Sequence, residues 1–444
     1  MKFKIINMQK IYGFLLENIV LRLYGLIYSD SIAAQLNELR KIAKLSEFEL
    51  SVIQSEKLNK LLKYSIENID FYKGHKISDN ENYDIKSFPI VDKIIIRDYK
   101  KQLINNKISF SSLIKHCSSG SSGIQSEIYC TKNEQSAARA TQLLWWEWAG
   151  YKIGQPVLQT GMAVKRTFFK STKDFFFRTK YLNAYNHSEK DLNKVLQWAR
   201  NKNAFLGGYA SSLYVLSLFS KKSIKVQFTG AVSWGDKLFT HYKNSINNIF
   251  DIKIKETYGT GELVMLAAQY DLDYMYIMSN NVFLEILDDD GNEVQDGEIG
   301  NVVVTNLNAY AMPLIRYKIG DLAIKLPKNL YPEERKFGFP ILQKVIGRDT
   351  DIIKTKSGKK LTVHSFTGIF EYYNEIIQFC IIQNNLDSIL INMIISDDFN
   401  DDILNSIKTK LETLSNHELK LKFQMVDYIA STPSGKPQIV ISNL

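Results

Sequence analysis

The chain has 444 residues, 45% hydrophobic and 23% charged, with a formal net charge of +9. That length exceeds the roughly 250–300 residues that one core normally holds, so a large domain and a smaller one are expected. Three cysteines, Cys117, Cys130 and Cys380, make neither a complete disulfide set nor a C-x-x-C metal-thiolate site, and they point to a reducing, cytoplasmic compartment. The positive balance favours anionic partners. Its lysines are spread along the whole chain, without an arginine-rich stripe interleaved with aromatics, so nucleic acid is excluded as a partner.

The first 28 residues are apolar at Ile11, Phe14, Leu15, Leu16, Ile19, Val20 and Leu23, but Lys10, Glu17 and Arg22 interrupt the run before it reaches spanning length. No small-residue cleavage site follows. Two readings stay open: an amphipathic helix packed on the body, or one lying on the inner membrane surface with help from Lys2, Lys4, Lys10 and Arg22. Residues 31–76 read as helical, with Ile53, Leu58, Leu61, Leu62, Ile66 and Ile69 at three- and four-residue spacing. Further helices are expected at 137–148, 191–200 and 211–222. Strands are expected at 156–159, 226–229, 252–256, 282–287 and 302–305. Strands alternating with helices argue for an α/β domain. Beyond residue 347 the texture changes to strands at 379–383 and 389–395, a helix at 401–414 and a final strand after Pro433. That is an α+β module of small-domain size. The expected fold is therefore α/β plus α+β, divided as 1–347 and 348–444.

Five segments carry chemistry. Ser118-Ser119-Gly120-Ser121-Ser122-Gly123 packs two glycines and four hydroxyls into six residues before a helix. Glycines let backbone amides approach an anion and hydroxyls add donors, which suits a triphosphate. The Gly-Lys-Ser/Thr ending of a Walker loop is absent. In Tyr258-Gly259-Thr260-Gly261-Glu262 the tyrosine can cover an adenine and the carboxylate can hold Mg²⁺ against phosphates. Asp321, at the end of the strand-turn segment 316–321, can accept from ribose hydroxyls. Gly347-Arg348-Asp349-Thr350-Asp351 lies at the expected domain boundary. Lys436 sits between Gly435 and Pro437, where backbone constraint positions it. Taken singly, each segment also reads as an ordinary loop, turn or solvated side chain.

In this order, the five segments resemble the adenylate-forming superfamily of acyl-CoA synthetases and nonribosomal adenylation domains. Within it, the chain resembles the phenylacetate–CoA ligase branch, and especially its capsular-polysaccharide-biosynthesis members. Residues 54–72, 88–98 and 207–213 carry the same likeness. The resemblance implies an N-terminal adenylation domain and a mobile C-terminal lid. It implies ATP and Mg²⁺, with Ser118 to Gly123 on the phosphates, Tyr258 beside the adenine, Glu262 on Mg²⁺ and Asp321 on the ribose. Arg348 would begin the hinge, whose pivot stays open among Asp349, Thr350 and Asp351, and Lys436 would be the catalytic lysine of adenylate formation. Thr229 to Asp236, with Trp234, Gly235 and Asp236 at its end, falls where relatives build the adenine floor.

The chain departs from the branch at Gln125 and Ser126, where it usually has Pro and then Lys or Thr. It also lacks any cysteine between 130 and 380, so the structural zinc of some relatives is not expected. Trp145, Trp146, Trp148 and Tyr209 are core residues first and pocket candidates second. Lys165 and Arg166 read as a solvated turn before an anion contact. The expected partners are a carboxylic acid, such as a uronic or amino acid, and an acceptor that is an amine or CoA. Amide formation in polysaccharide decoration is the favoured reading, CoA thioester synthesis the second, and a noncatalytic nucleotide-binding protein the third.

Overall fold

The computed structural model describes residues 9, 11–28, 31–74, 84–117, 127–161, 174–185, 188–348, 352–370, 372–373, 375–430 and 439–444. Its strands are β1 (Ile114–Cys117), β2 (Glu127–Cys130), β3 (Val157–Gly161), β4 (Thr179–Asn183), β5 (Phe205–Gly208), β6 (Ala231–Ser233) and β7 (Ile254–Gly259). They continue as β8 (Met265–Gln269), β9 (Met275–Ile277), β10 (Val282–Leu287), β11 (Gly300–Asn306), β12 (Tyr317–Lys325) and β13 (Ile341–Arg348). Last come β14 (Ile352–Lys354), β15 (Lys360–Thr362), β16 (Ile376–Asn385), β17 (Ser388–Ile395), β18 (Lys420–Met425) and β19 (Val440–Ser442).

An 11-stranded sheet runs in the order β10-β11-β12-β13-β9-β8-β7-β6-β5-β3-β4. One half, β4-β3-β5-β6-β7, is parallel; the other is antiparallel. Each half buries its own core. Helices Glu189–Ala199, Ala210–Lys222 and Thr240–Phe250 pack Leu196, Leu213, Leu216 and Ile246 with Leu158, Leu206 and Ala231 of the parallel strands. Helix Glu47–Asn68 sets Leu58, Leu61 and Leu62 against the antiparallel strands. Parallel strands need covering because both of their faces are apolar, and crossover helices supply the cover. A further core, from Ile353 to Val440, lies between the sheet β18-β17-β16-β19 and helices Val363–Phe370 and Asp401–Leu414. Among the described residues no helix is long and apolar enough to cross a membrane.

Two expectations are corrected. Residues 31–76 are not one helix: Ile32–Ile42 stops, and Ser46 caps Glu47–Asn68 through a capping box with Glu49. Residues 226–229 alternate buried and exposed as a strand would, but they form no ladder. Val226 and Phe228 pack in the core with the helices, and the strand ladder begins only at Ala231, although the Thr229 amide already donates to the Ala204 carbonyl.

Arg316 fixes how β12 begins. Its backbone is left-handed, φ 54°, and its side chain is buried. The guanidinium donates from Nε to Glu285 Oε2 at 3.2 Å, from Nη2 to Glu285 Oε1 at 3.0 Å, and from Nη1 to the Phe88 carbonyl at 3.3 Å. Its amide donates to Thr305 Oγ1 and its carbonyl accepts from Val91. Burial raises the Glu285 carboxyl, and Arg316 pulls it back down. A non-glycine residue stays in the left-handed region only where its surroundings over-determine it. Arg316→Ala strands the Glu285 charge, so a loss of roughly 3–5 kcal/mol is expected in urea denaturation. Adding Glu285→Ala should cost less than the two single losses summed, whereas strict additivity would separate the two groups energetically.

Candidate functional site

The parallel strands end at Gly161, Asn183, Gly208, Ser233 and Gly259, all on one edge of the sheet. Loops leaving the carboxyl ends of parallel strands are where open α/β sheets bind ligands. The segments at 234–236 and 258–262 leave that edge.

Tyr258, Glu262, Asp321 and Arg348 are brought together. The Tyr258 hydroxyl donates to Asp321 Oδ2 at 2.8 Å. Burial first, and the Asp321 carboxylate second, push the Tyr258 phenol well above its ordinary value, so it stays protonated and donates. Asp321 and Arg348 face each other across β12 and β13, and Arg348 Nε lies 3.4 Å from Asp321 Oδ1. Asp321 is not at a strand end, as the sequence suggested. It lies inside β12 on a bulge, because only Val302 stands opposite residues 319–321. Gly320, at φ +84°, permits that bulge.

A second tyrosine completes the arrangement. Tyr317, also on β12, donates to Glu262 Oε1 at 2.9 Å, and both side chains are buried. Two tyrosine-x-x-x-carboxylate segments are thus joined reciprocally, Tyr258 to Asp321 and Tyr317 to Glu262. The sequence reading missed Tyr317, although the matching four-residue spacing at 258/262 and 317/321 was visible. Behind Glu262 a cleft is lined by Glu134, Thr141, Asn281, Asn306, Asn308 and Tyr317. Gly259 passes so near its own turn that a Cβ would lie 2.9 Å from the Val264 carbonyl. The Thr260 amide donates to that carbonyl, while the Thr260 and Ser233 hydroxyls are buried without a partner among the described residues.

The turn 234–236 is built by packing. Trp234 stacks on Trp146 with ring centroids 5.8 Å apart and planes 8° from parallel. A Cβ on Gly207 would come within 2.9 Å of the Trp234 ring, and one on Gly235 would overlap Tyr209. The Asp236 carboxylate accepts from the amides of Ala210 and Ser211 and from the Ser211 hydroxyl, so it holds the start of helix Ala210–Lys222. Tyr209 and Tyr185 extend the aromatic wall, 5.2 Å between centroids. Trp145 and Trp148 are core side chains. Lys237 Nζ donates to the Ile346 carbonyl at 3.1 Å and ties this turn to β13 just before Arg348. The loop Ser118 to Gly123, Lys165, Arg166, Asp349, Thr350, Asp351 and Lys436 lie outside the described residues. The loop's flanks are described: β1 and β2 pair, and Thr131 caps helix Lys132–Trp148 with Glu134, whose Oε1 accepts from the amides of Tyr310 and Ala311.

Comparison with known proteins bears on the same architecture. Residues 353–443 match the model of the CapK C-terminal domain. Protein CapK of Staphylococcus aureus is 24% identical, across 96% of this chain and 97% of its own length. The phenylacetate-coenzyme A ligase of Escherichia coli K12 is 22% identical, across 71% of this chain and 75% of that one. Among solved structures, a 2-hydroxyisobutyryl-CoA ligase in the postadenylation state with 2-HIB-AMP superposes with a TM-score of 0.69 at 16% identity, covering 91% of this chain and 92% of that one. ATP-bound MatB from Rhodopseudomonas palustris gives a TM-score of 0.55 at 14% identity, over 73% of this chain and 66% of that one. The fold is that of the adenylate-forming acyl-CoA ligases among these solved structures. The sequence is similar to phenylacetate-coenzyme A ligase over most of its length and to protein CapK from end to end.

Two outcomes follow from this geometry. Tyr317→Phe removes a donor from a buried carboxylate and is expected to cost about 1.5–3 kcal/mol in urea denaturation. Tyr258→Phe should cost less, because Asp321 is partly exposed and keeps Arg348. A reversed order would show that Tyr258, not Tyr317, carries the larger share. The second concerns Glu256, paired with Ser233 in the ladder between β7 and β6. Burial pushes its carboxyl from 4.5 up to about 7, opposed by the Leu238 amide. A raised carboxyl favours the folded state below the unfolded value and loses that advantage as pH rises through the folded one. Glu256→Gln should therefore leave stability unchanged near about pH 4 and raise it by roughly 1–3 kcal/mol near about pH 9, read as melting shifts.

Proposed function

We propose that this protein activates a carboxylic acid with ATP as an acyl-AMP and passes the acyl group to an amine, in capsule or O-antigen polysaccharide biosynthesis. The observation that carries the nucleotide half is the reciprocal pairing of Tyr258 with Asp321 and Tyr317 with Glu262 at the carboxyl edge of parallel strands. It sets two carboxylates at fixed positions, one for a sugar diol and one for a cation. An ionised carboxylate offers about four acceptor positions, so Asp321 accepts from Tyr258 and from ribose hydroxyls together. The buried hydroxyls of Thr260 and Ser233 fit a ligand that brings its own acceptors, as a phosphorylated nucleotide does. For Mg²⁺ the donor set also fits. One or two carboxylates plus substrate phosphates are its usual ligands, and Glu262 supplies one, in the lining of the cleft. Bound by Glu262, the ion would neutralise phosphate charge.

The remaining roles rest on the resemblance. Ser118, Ser119, Gly120, Ser121, Ser122 and Gly123 hold the β- and γ-phosphates, and Tyr258 with the turn Trp234-Gly235-Asp236 borders the adenine. Asp236 acts there by shaping the turn, since its carboxylate caps a helix. A carboxylate oxygen of the acid attacks the α-phosphorus, and the bond from that phosphorus to the bridging oxygen breaks as pyrophosphate leaves. Lys436 stabilises charge on the reacting carboxylate and the bridging oxygen. The acceptor nitrogen then attacks the acyl carbon, losing its proton as AMP departs. Residues 348–444 form the lid that brings Lys436 to the first step, and the hinge among Asp349, Thr350 and Asp351 moves it away for the second.

The end-to-end similarity to protein CapK supports the capsule-type resemblance and with it polysaccharide chemistry, for which an amine acceptor is the first reading. CoA is the second reading, favoured by fold likeness to a 2-hydroxyisobutyryl-CoA ligase solved with 2-HIB-AMP and CoA, at a TM-score of 0.58. ATP–pyrophosphate exchange run against uronic, amino, aryl and fatty acids names the acid, and product analysis with amines or CoA names the acceptor. Lys436→Ala is expected to lower exchange by about 10²–10³-fold with an unchanged melting curve. Undiminished exchange in that variant would remove Lys436 from the chemistry.

A further inference from the structure

The N-terminal helix displays an apolar surface that none of the described residues covers. Its inner side is firmly docked. Gly13 lies so close to the 153–154 backbone that a Cβ would meet the Ile153 carbonyl, Leu16 is buried, and Glu17 pairs with Arg40, which also binds Glu147. The outer side carries Ile11, Phe14, Leu15, Ile19, Val20 and Leu23, with Phe14 63% exposed. A π-helical turn over Leu16–Val20 keeps these on one face. Residues five apart stack in such a turn, so Ile19 follows Phe14 and Val20 follows Leu15.

A second segment joins the same surface. The Tyr12 hydroxyl donates to the Phe176 carbonyl, and Arg178 lies over the Tyr12 ring at 5.9 Å. That places the exposed side chains of Phe175, 78% accessible, and Phe176 beside the helix. The charges divide sharply. The only acid of the described helix, Glu17, is turned inward onto Arg40, while Arg22, Arg178 and Lys152 are exposed. Asp174, which directly precedes Phe175, is half-buried and is the one acid of the described segment 174–178.

We propose that the helix 11–28 and the Phe175-Phe176 turn form a docking surface for an anionic lipid membrane. Apolar side chains on one face, rimmed by cations and with few carboxylates, match the acyl-to-headgroup boundary, where rings and aliphatic chains are buried and lysine and arginine meet lipid phosphates. The cation rim is what selects lipid over a second copy of this chain, whose facing surface would bring the same positive charge to the contact. The phenylalanines supply the insertion and the basic groups supply the preference for negative charge.

Flotation of the full-length protein with vesicles tests this. Binding is expected to vesicles of phosphatidylglycerol and phosphatidylcholine, weaker by about tenfold with phosphatidylcholine alone or at high salt. Phe175→Ser/Phe176→Ser, at two exposed side chains, and Phe14→Asp should each reduce the bound fraction by about tenfold with unchanged melting curves. The proposal is overturned by equal binding to neutral and anionic vesicles, by no vesicle binding at all, or by binding that survives both variants. It is also overturned by a homodimer in light scattering that these substitutions dissociate.

Discussion

Two hydroxyl-to-carboxylate bonds hold the candidate site in register. Tyr258 lies on β7 and Glu262 in the turn after it; Tyr317 and Asp321 lie on β12, with three strands between in the sheet order. Each tyrosine donates to the other segment's carboxylate. The spacing of four residues in both segments is what allows the reciprocal match. A hydrogen bond to a charged acceptor is about twice as strong as a neutral one, and it is directional. The two carboxylates therefore keep a fixed separation and orientation without a metal or ligand between them. The arrangement also spans the point where the sheet changes from parallel to antiparallel, so it couples the two halves through side chains as well as through the ladder.

That register depends on where β12 starts. Arg316 turns the chain with a left-handed backbone, and its guanidinium is committed to Glu285 on β10 and to the Phe88 carbonyl. Glycine would relieve the strain but would abandon Glu285 inside the core. The bulge at residues 319–321 takes Asp321 out of register with β11, and its carboxylate accepts from Tyr258. A strained residue, a buried ion pair and a bulge act in sequence over six positions. Each is costly alone, and together they aim one carboxylate.

Elements whose partners are close in sequence were easily legible. Strand Val282–Leu287 and helix Asp401–Leu414 follow from continuous apolar or helical patterning and appear with the boundaries that patterning gives. Residues 226–229 show the limit. Alternation reports which side chains are buried, and Val226 and Phe228 are; it does not report where a ladder begins, and here a single bond from the Thr229 amide to the Ala204 carbonyl precedes it. The break at 43–46 was similarly hidden, because a capping box inside a helical pattern reads as two more helix-compatible residues. Tyr317 is the instructive omission. In sequence it is a buried aromatic on a strand; its function as a donor exists only through Glu262, 55 residues away. The aromatic wall of Trp146, Trp234 and Tyr209 was visible as composition, but its stacking needed the glycines at 207 and 235 to let rings approach backbone.

The same contacts link the nucleotide half of the site to the segment that leads out of β13. Arg348, the last residue of that strand, reaches Asp321, and Lys237 reaches the Ile346 carbonyl from the turn that carries Trp234. Phe239, two residues further on, packs against the core that holds Ile353 and Val440. A ligand that alters the hydrogen bonding of Asp321 therefore changes the restraint on Arg348, one residue before the proposed hinge. Coupling of this kind requires no long pathway. Asp321 accepts from Tyr258 and pairs with Arg348, so a ribose that shares the carboxylate in the proposed complex changes its hold on Arg348 and biases the position of the chain that follows.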